Sequence, residues 1–245
     1  MDVIGVIPAR YSSTRFQAKV LADICGKPML QHVWERAKQS RMLDDLIIAT
    51  DNEIIFKCAT EFGAKVVMTS KEHTCGTDRI TEVVNPLDVK IVINIQADEP
   101  LIHPMMIDSV ARALLEDKMM NMATLMKKIE NVSELLDPNV VKVVVDKNNF
   151  ALYFSRAPIP YLAPNAEIEQ VTYYKHIGLY GYTKDFLFTY KNLPVSNLEK
   201  TEKLEQLRVL AEGFKIKVIQ TQFDTVGVDT LEDLEKVKEQ LQRKG

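Results

Sequence analysis

Short apolar runs alternate with longer periodic stretches through the first half of the chain, and this alternation constrains the fold more than any other feature. "VIGVIPA" (Val3 to Ala9) has the length and β-branching of a buried strand. Met29 to Ser40 follows Pro28 and places Leu30, Val33, Trp34 and Ala37 at helical spacing. "LIIATD", "KVVMT" and "KIVINIQ" read as further strands. Glu53 to Phe62, Thr77 to Val84 and Pro104 to Leu115 read as helices, the first stopped by Gly63 and the last opened by its proline. Strand–helix repetition of this kind predicts an α/β fold with a mostly parallel sheet and right-handed crossovers.

The second half changes character. "NMATLMKKI", "NVVKVVVD" and "FALYFSR" follow one another with only the short helical "VSELLD" between them. "APIPYLAPNAEIEQ" holds too many turn formers for a helix. After "KHIGLYGYT" come helical segments at Asp185 to Lys191 and Lys203 to Gly213, the strand "KIKVIQ" and a final helix, Leu231 to Arg243. The expectation is one domain, 1–245, whose middle carries a smaller antiparallel subdomain at about 119–185. No boundary has the composition of a free linker.

Composition removes several classes. The 245 residues are 46% hydrophobic and 27% charged, a globular balance. A chain of this length buries roughly three quarters of its unfolded surface. The longest apolar runs are too short to cross a bilayer, and "MDVIGVIPAR" has no basic stretch ahead of its apolar residues, so neither a membrane span nor a signal peptide is expected. A net charge of −3 leaves no global field for nucleic acid, so any polyanion site must be local. Cys25, Cys58 and Cys75 are odd in number and lack zinc-ligand spacing, which points to a reducing cytoplasm rather than a disulfide framework.

Ligands of open α/β sheets sit beyond the carboxyl ends of the strands, so the residues there carry the functional signal. The first strand exits into "PARYSSTRFQAKVL", where Arg10, Arg15 and Lys19 fall among the hydroxyls of Ser12, Ser13 and Thr14. Guanidinium, ammonium and loop amides suit a triphosphate. The loop is neither GxxxxGK(S/T) nor GxGxxG. "NIQADEP" sets Asp98 and Glu99 directly after a strand, where a carboxylate can hold Mg²⁺ or cap a turn. Asp229 in "TVGVDTLEDLEKV" reads by itself as a plain helix N-cap. Taken together, the basic loop and the two aspartates describe a cation-rich and a metal-holding wall of one crevice. "CGTDR" adds a glycine and a helix start suited to close backbone approach. Of His32, His73, His103 and His176, only His176 lies among other polar candidates, and His73 with Cys75 lacks partners for a metal site.

"IPARYSSTRF", "HTCGTDR", "NIQADEP", "YFSRAPIPY", "KHIGLYGY", "LEQLRVL" and "GVDTLEDLE" occur in that order. On these motifs the chain, from about Val3 to Glu235, resembles the 3-deoxy-manno-octulosonate (Kdo) cytidylyltransferases, or CMP-Kdo synthetases. The first motif is shared with other sugar nucleotidyltransferases; "YFSRAPIPY", "KHIGLYGY" and "LEQLR" are more specific. The resemblance implies a Rossmann-like sheet of the nucleotide-diphospho-sugar transferase type. It implies conversion of CTP and Kdo to CMP-Kdo and pyrophosphate with Mg²⁺, in lipopolysaccharide biosynthesis, by a homodimer whose middle lobe contributes to the subunit contact. The same reaction on the 8-amino analogue of Kdo or another 2-keto sugar acid is the alternative.

By resemblance, Arg10 and Lys19 hold the triphosphate, and Pro8, Ala9, Ser13 and Cys75, Gly76 and Arg79 frame the nucleotide. Asp98 and Asp229 hold magnesium; Asp98 and Gln96 also face CTP. Gln96, Arg156, His176, Tyr180, Glu205 and Gln206 face the sugar acid, and Arg10, Lys19, Asp98 and Asp229 carry catalysis. Five positions, in three motifs, depart from the family pattern. Gln17 and Ala18 stand where Pro-Gly usually precedes the lysine, with Val20 for the following proline; Cys75 stands for a serine; Ala97 stands for a glycine.

Overall fold

The computed structural model describes residues 1–11, 16–73, 75–162 and 171–243. The first apolar run forms β1 (Val3–Ala9), and its alternation feeds two cores at once. Val3, Ile7 and Ala9 join the cluster on one face of the sheet, Ile4 and Val6 the cluster on the other, as the period of two in a strand requires. The remaining strands are β2 (Asp23–Ile24), β3 (Lys27–Pro28), β4 (Asp45–Thr50), β5 (Lys65–Met68), β6 (Ile91–Asn94), β7 (Met122–Lys128), β8 (Lys142–Val145), β9 (Ala151–Ser155), β10 (Tyr174–Thr183) and β11 (Lys217–Gln220). The helices are α1 (Met29–Ala37), α2 (Glu53–Glu61), α3 (Gly76–Val84), α4 (Pro104–Glu116), α5 (Val132–Leu136), α6 (Lys184–Asn192), α7 (Asn197–Glu202), α8 (Leu207–Ala211) and α9 (Leu231–Gln242). Helices α1, α2 and α4 bury their apolar stripes on one face, α3, α6 and α8 on the other.

The large sheet runs β11-β7-β10-β6-β1-β4-β5, and β2 with β3 forms a small antiparallel sheet of its own. β1 is parallel to β4 and β6, and β4 to β5. The chain moves outward from β1 through β4 and β5, then crosses to β6 on the other side of β1. That reversal opens a crevice beyond the ends of β1 and β6.

The antiparallel pairing expected within 119–185 is present: β10 pairs with β7, and β8 pairs with β9 and meets β10 at Lys142 opposite Lys175. β7 and β10 belong to the main sheet, however, with β10 antiparallel to β6. Gly181 permits this. A Cβ there would lie 2.6 Å from Val110 Cγ1 and 2.7 Å from Leu114 Cδ1, so only a bare backbone lets α4 settle onto β10.

The helix expected from Lys203 to Gly213 is broken, and an unexpected one, α7, precedes it. Lys203 adopts a left-handed conformation, φ 58°, and its N–H closes α7 on the Glu199 carbonyl at 2.8 Å. Three residues of tight turn follow, with Leu207 N–H on Leu204 O (3.1 Å) and Arg208 N–H on Glu205 O (3.2 Å), before α8 begins. Leu204 turns into the core, while Glu205 and Gln206 reach the crevice.

Candidate active site

The loop after β1 returns on itself: the Ala18 N–H donates to the Tyr11 carbonyl at 3.0 Å. Ala18 is left-handed, φ 53°, at the position where the resembled family carries glycine. This bend starts a short 3-10 turn, Lys19–Leu21, and aims Lys19 across the crevice. Its ammonium lies 2.7 Å from Asp98 Oδ2 and 3.0 Å from Asp229 Oδ1. Burial alone lowers the Lys19 pKa, but Asp98 and then Asp229 outweigh it and hold the group above its ordinary value. The acidic segments are tied by main chain as well, since the Val228 N–H donates to the Asp98 carbonyl at 2.9 Å. Asp229 is not the cap of α9: Thr230 is, in a reciprocal capping box with Asp233, and the Asp229 N–H also donates to Asp233.

These groups edge a cavity of about 440 Å³. Its far wall is the start of α3. Cys75 caps that helix, its Sγ accepting the Asp78 N–H at 3.4 Å, and burial raises its thiol pKa. Gly76 lies against Pro8, where a Cβ would come within 3.3 Å of Pro8 Cγ. Arg79 is buried and fixed by Asp51 at 2.8 Å and by the Thr69 hydroxyl. His73, at the cavity's edge, pairs with Glu82, which also accepts the Ser70 N–H.

A second cavity of about 220 Å³ adjoins the first and shares Pro8, Gly76, Gln96 and Glu205 with it. It is walled by Tyr180, Tyr182 and Tyr190. Tyr180 and Tyr182 lie 6.1 Å apart at 20°, Tyr182 and Tyr190 5.7 Å apart at 16°. Tyr180 sits directly opposite Asn94 in the β10–β6 pairing, and the Gln96 side-chain amide donates to Asn94 Oδ1 at 3.4 Å. Burial keeps all three phenols protonated well beyond neutral pH. Burial also raises the Glu205 carboxyl, with Arg208 opposing. Behind the wall, Arg208 lies over the Tyr190 ring at 5.6 Å and donates to Glu199 through both Nε (2.7 Å) and a terminal nitrogen.

Most of the residues expected from sequence meet here. Pro8, Arg10, Lys19, Cys75, Gly76, Arg79, Gln96, Asp98, Glu205 and Asp229 line the first cavity, and Tyr180 and Gln206 line the second. Ala9 is buried beneath the crevice at the end of β1. Ser13, like Ser12, Thr14 and Arg15, lies outside the described residues. Two of the expected residues stand away from both cavities. Arg156 lines neither cavity, because its guanidinium donates to the main-chain carbonyls of Glu202 (2.9 Å) and Pro138 (3.0 Å). His176 also lines neither. It packs behind Tyr180 at 5.4 Å and bonds Thr124 Oγ1 at 2.9 Å, and burial lowers its pKa to about 3.

Sequence reading missed Asn94, Tyr182, Tyr190, Lys203 and His73. Asn94 and Tyr182 carry a readable signal, since each is two residues along a strand from a recognised candidate and so shares its face. Tyr190 and Lys203 carry none, because packing of α6 and the left-handed end of α7 brings them in.

Among the described residues, no group of three or more His, Cys, Asp or Glu side chains is gathered as a metal cage. The pair Asp98 and Asp229 nonetheless fits Mg²⁺, which takes one or two protein carboxylates and completes its shell with phosphate and water. Both carboxylates already converge on one cation, the Lys19 ammonium.

A cytidylyltransferase family model matches residues 4–217. A 3-deoxy-manno-octulosonate cytidylyltransferase of Solibacter usitatus is 51% identical over 96% of this chain and 92% of its own length. That of Geotalea uraniireducens is 47% identical over 99% of this chain and all of its own. A solved structure of a CMP:2-keto-3-deoxy-manno-octonic acid synthetase complexed with CTP is 41% identical, covers both chains fully and superposes with a TM-score of 0.93. With two adjoining cavities, the first edged by paired aspartates, and relatives this near over the whole length, the chain belongs to the cytidylyltransferases, in the 3-deoxy-manno-octulosonate cytidylyltransferase branch.

Proposed function

We propose that the chain transfers the cytidylyl group of CTP to Kdo, releasing pyrophosphate and forming CMP-Kdo for lipopolysaccharide assembly. The observation that carries this reading is the convergence of Asp98 and Asp229 on one cation, in a charged cavity that adjoins an aromatic one. Transfer at phosphorus asks a protein for positioning and charge neutralisation more than for covalent chemistry. Arg10 and Lys19 face the triphosphate, and Arg79, locked by Asp51, gives the nucleotide cavity a rigid cationic wall. Gln96, Glu205 and Gln206 offer the sugar hydroxyls acceptors and donors, and the tyrosine wall supplies flat apolar contact. Asp98 and Asp229 would hold Mg²⁺, which supplies charge neutralisation at the phosphates and lowers the pKa of a hydroxyl bound beside it.

The same reading assigns one domain, with 119–185 as the lobe through which two copies associate. Leu136, Leu152 and Tyr161 support this, being large, apolar and 62–82% exposed. It also assigns the reducing cytoplasm, supported by free Cys25, Cys58 and Cys75. Among the described residues no helix is long and apolar enough to cross a membrane. The deciding experiment is pyrophosphate release from CTP with Kdo, its 8-amino analogue and a sialic acid. Release with Kdo at the highest kcat/KM is expected, and release with none of them would overturn the reading.

A further inference from the structure

Resting on that reading, we infer that Lys19 is an internal counter-ion for the Asp98–Asp229 pair, so that divalent metal enters productively only when a nucleotide arrives to draw the ammonium away. The Lys19 side chain is 11% exposed, and its nitrogen lies within 3.0 Å of both carboxylates. A buried ammonium at that distance already supplies half the charge a divalent metal would bring. Metal and ammonium therefore compete for the same two carboxylates. A divalent ion added alone meets two carboxylates whose combined charge is already halved and whose oxygens are occupied.

The triphosphate changes the balance. Its negative charge gives the ammonium a second partner, and its oxygens give the metal the further hard ligands that two aspartates cannot provide. The Lys19 stem is long and flexible enough to swing its charge between the two. The bend that carries it is fixed at one end by Ala18 N–H on Tyr11 O and at the other by Leu21 N–H on Ala18 O, 2.8 Å. The side chain is thus the moving part, on a held backbone. The result is obligatory coupling between nucleotide and metal, which by linkage is the same in both directions. No covalent step is involved.

The test reads metal binding, not turnover. Mn²⁺ is titrated by calorimetry and by its free-ion paramagnetic signal into the full chain and into Lys19→Met, with and without CTP. The wild-type chain is expected to bind Mn²⁺ weakly alone and at least ~10-fold more tightly with CTP, a change of the size one neighbouring charge produces. Lys19→Met is expected to bind Mn²⁺ without CTP about 10-fold more tightly than wild type, with the CTP enhancement reduced. Added Mn²⁺ alone should raise the Tm of the variant and not of wild type. Lys19→Arg keeps the charge and should bind metal alone as weakly as wild type, which separates charge from any loss of folding.

Equal Mn²⁺ affinity of wild type and Lys19→Met without CTP, both measured on folded protein, would overturn the counter-ion role. It would do so even where wild type releases pyrophosphate with Kdo, leaving the proposed function standing. No Mn²⁺ binding to either chain with CTP present would remove both the metal site and the inference.

Discussion

The two cavities that meet at Gln96 and Glu205 are built on opposite plans. The first is charged and assembled from segments that follow strands: Lys19 on a loop, Asp98 after β6, Asp229 ahead of α9. The second is dominated by aromatic rings, and it rests on elements: Tyr180 and Tyr182 on β10, Tyr190 on α6, with a buried Arg208–Glu199 pair bracing it. Loops can move charge when a polyanion comes and goes. A strand and a helix hold flat rings in place, which suits a sugar whose recognition depends on fixed hydrogen bonds. The contrast teaches that one active site can divide adaptability and rigidity between its two halves.

The sharpest way to break this division is at the charged half. Asp98→Asn or Asp229→Asn should lower kcat by about 10²–10³-fold, the scale of losing a charge-stabilising group. Pyrophosphate release at saturating Mg²⁺ measures it, and stability to urea should change little by comparison. The braced half should answer the opposite way. Arg208→Met leaves the Glu199 carboxylate buried without its partner and should cost about 3 kcal/mol of stability in urea. The KM for CTP should change less than the KM for the sugar acid.

A pH series probes the support behind the wall. In the fold the His176 imidazole stays neutral down to about pH 3, against an ordinary 6.5. The unfolded chain therefore binds one more proton throughout that window, and the fold loses stability as pH falls through it while being unaffected above 6.5. Between pH 7 and pH 5 the urea stability gap between wild type and His176→Asn should shift by about 2 kcal/mol against wild type. The smallest effect is expected at the bend. Ala18 at φ 53° carries a left-handed strain that glycine lacks, so Ala18→Gly should gain up to about 1 kcal/mol in thermal unfolding.

The same division decided what was legible in the sequence. Strand ends in an α/β alternation announce a ligand crevice, and charges there are conspicuous among apolar runs, so Arg10, Lys19, Asp98 and Asp229 could be picked out and the mostly parallel sheet inferred. Membership of β7 and β10 in that sheet depended on Gly181 meeting Val110 and Leu114, a tertiary contact. The break at Lys203 was hidden because lysine is a good helix former, and only the folded chain holds it left-handed. Arg156 and His176 carried the expected chemistry in the expected motifs. Their partners, carbonyls of Glu202 and Pro138 and the hydroxyl of Thr124, come from elsewhere in the fold and hold both side chains outside the two cavities.

Lys19 and Asp229 are separated by 210 residues, yet they share one ion pair. A ribosome extending the polypeptide at about 5–20 residues per second needs roughly 10–40 s to travel from one to the other. Throughout that interval the nascent enzyme already owns its nucleotide-facing lysine but has no second aspartate. The paired-carboxylate edge is therefore completed only once Asp229 has been added and the last part of the chain folds back onto the first.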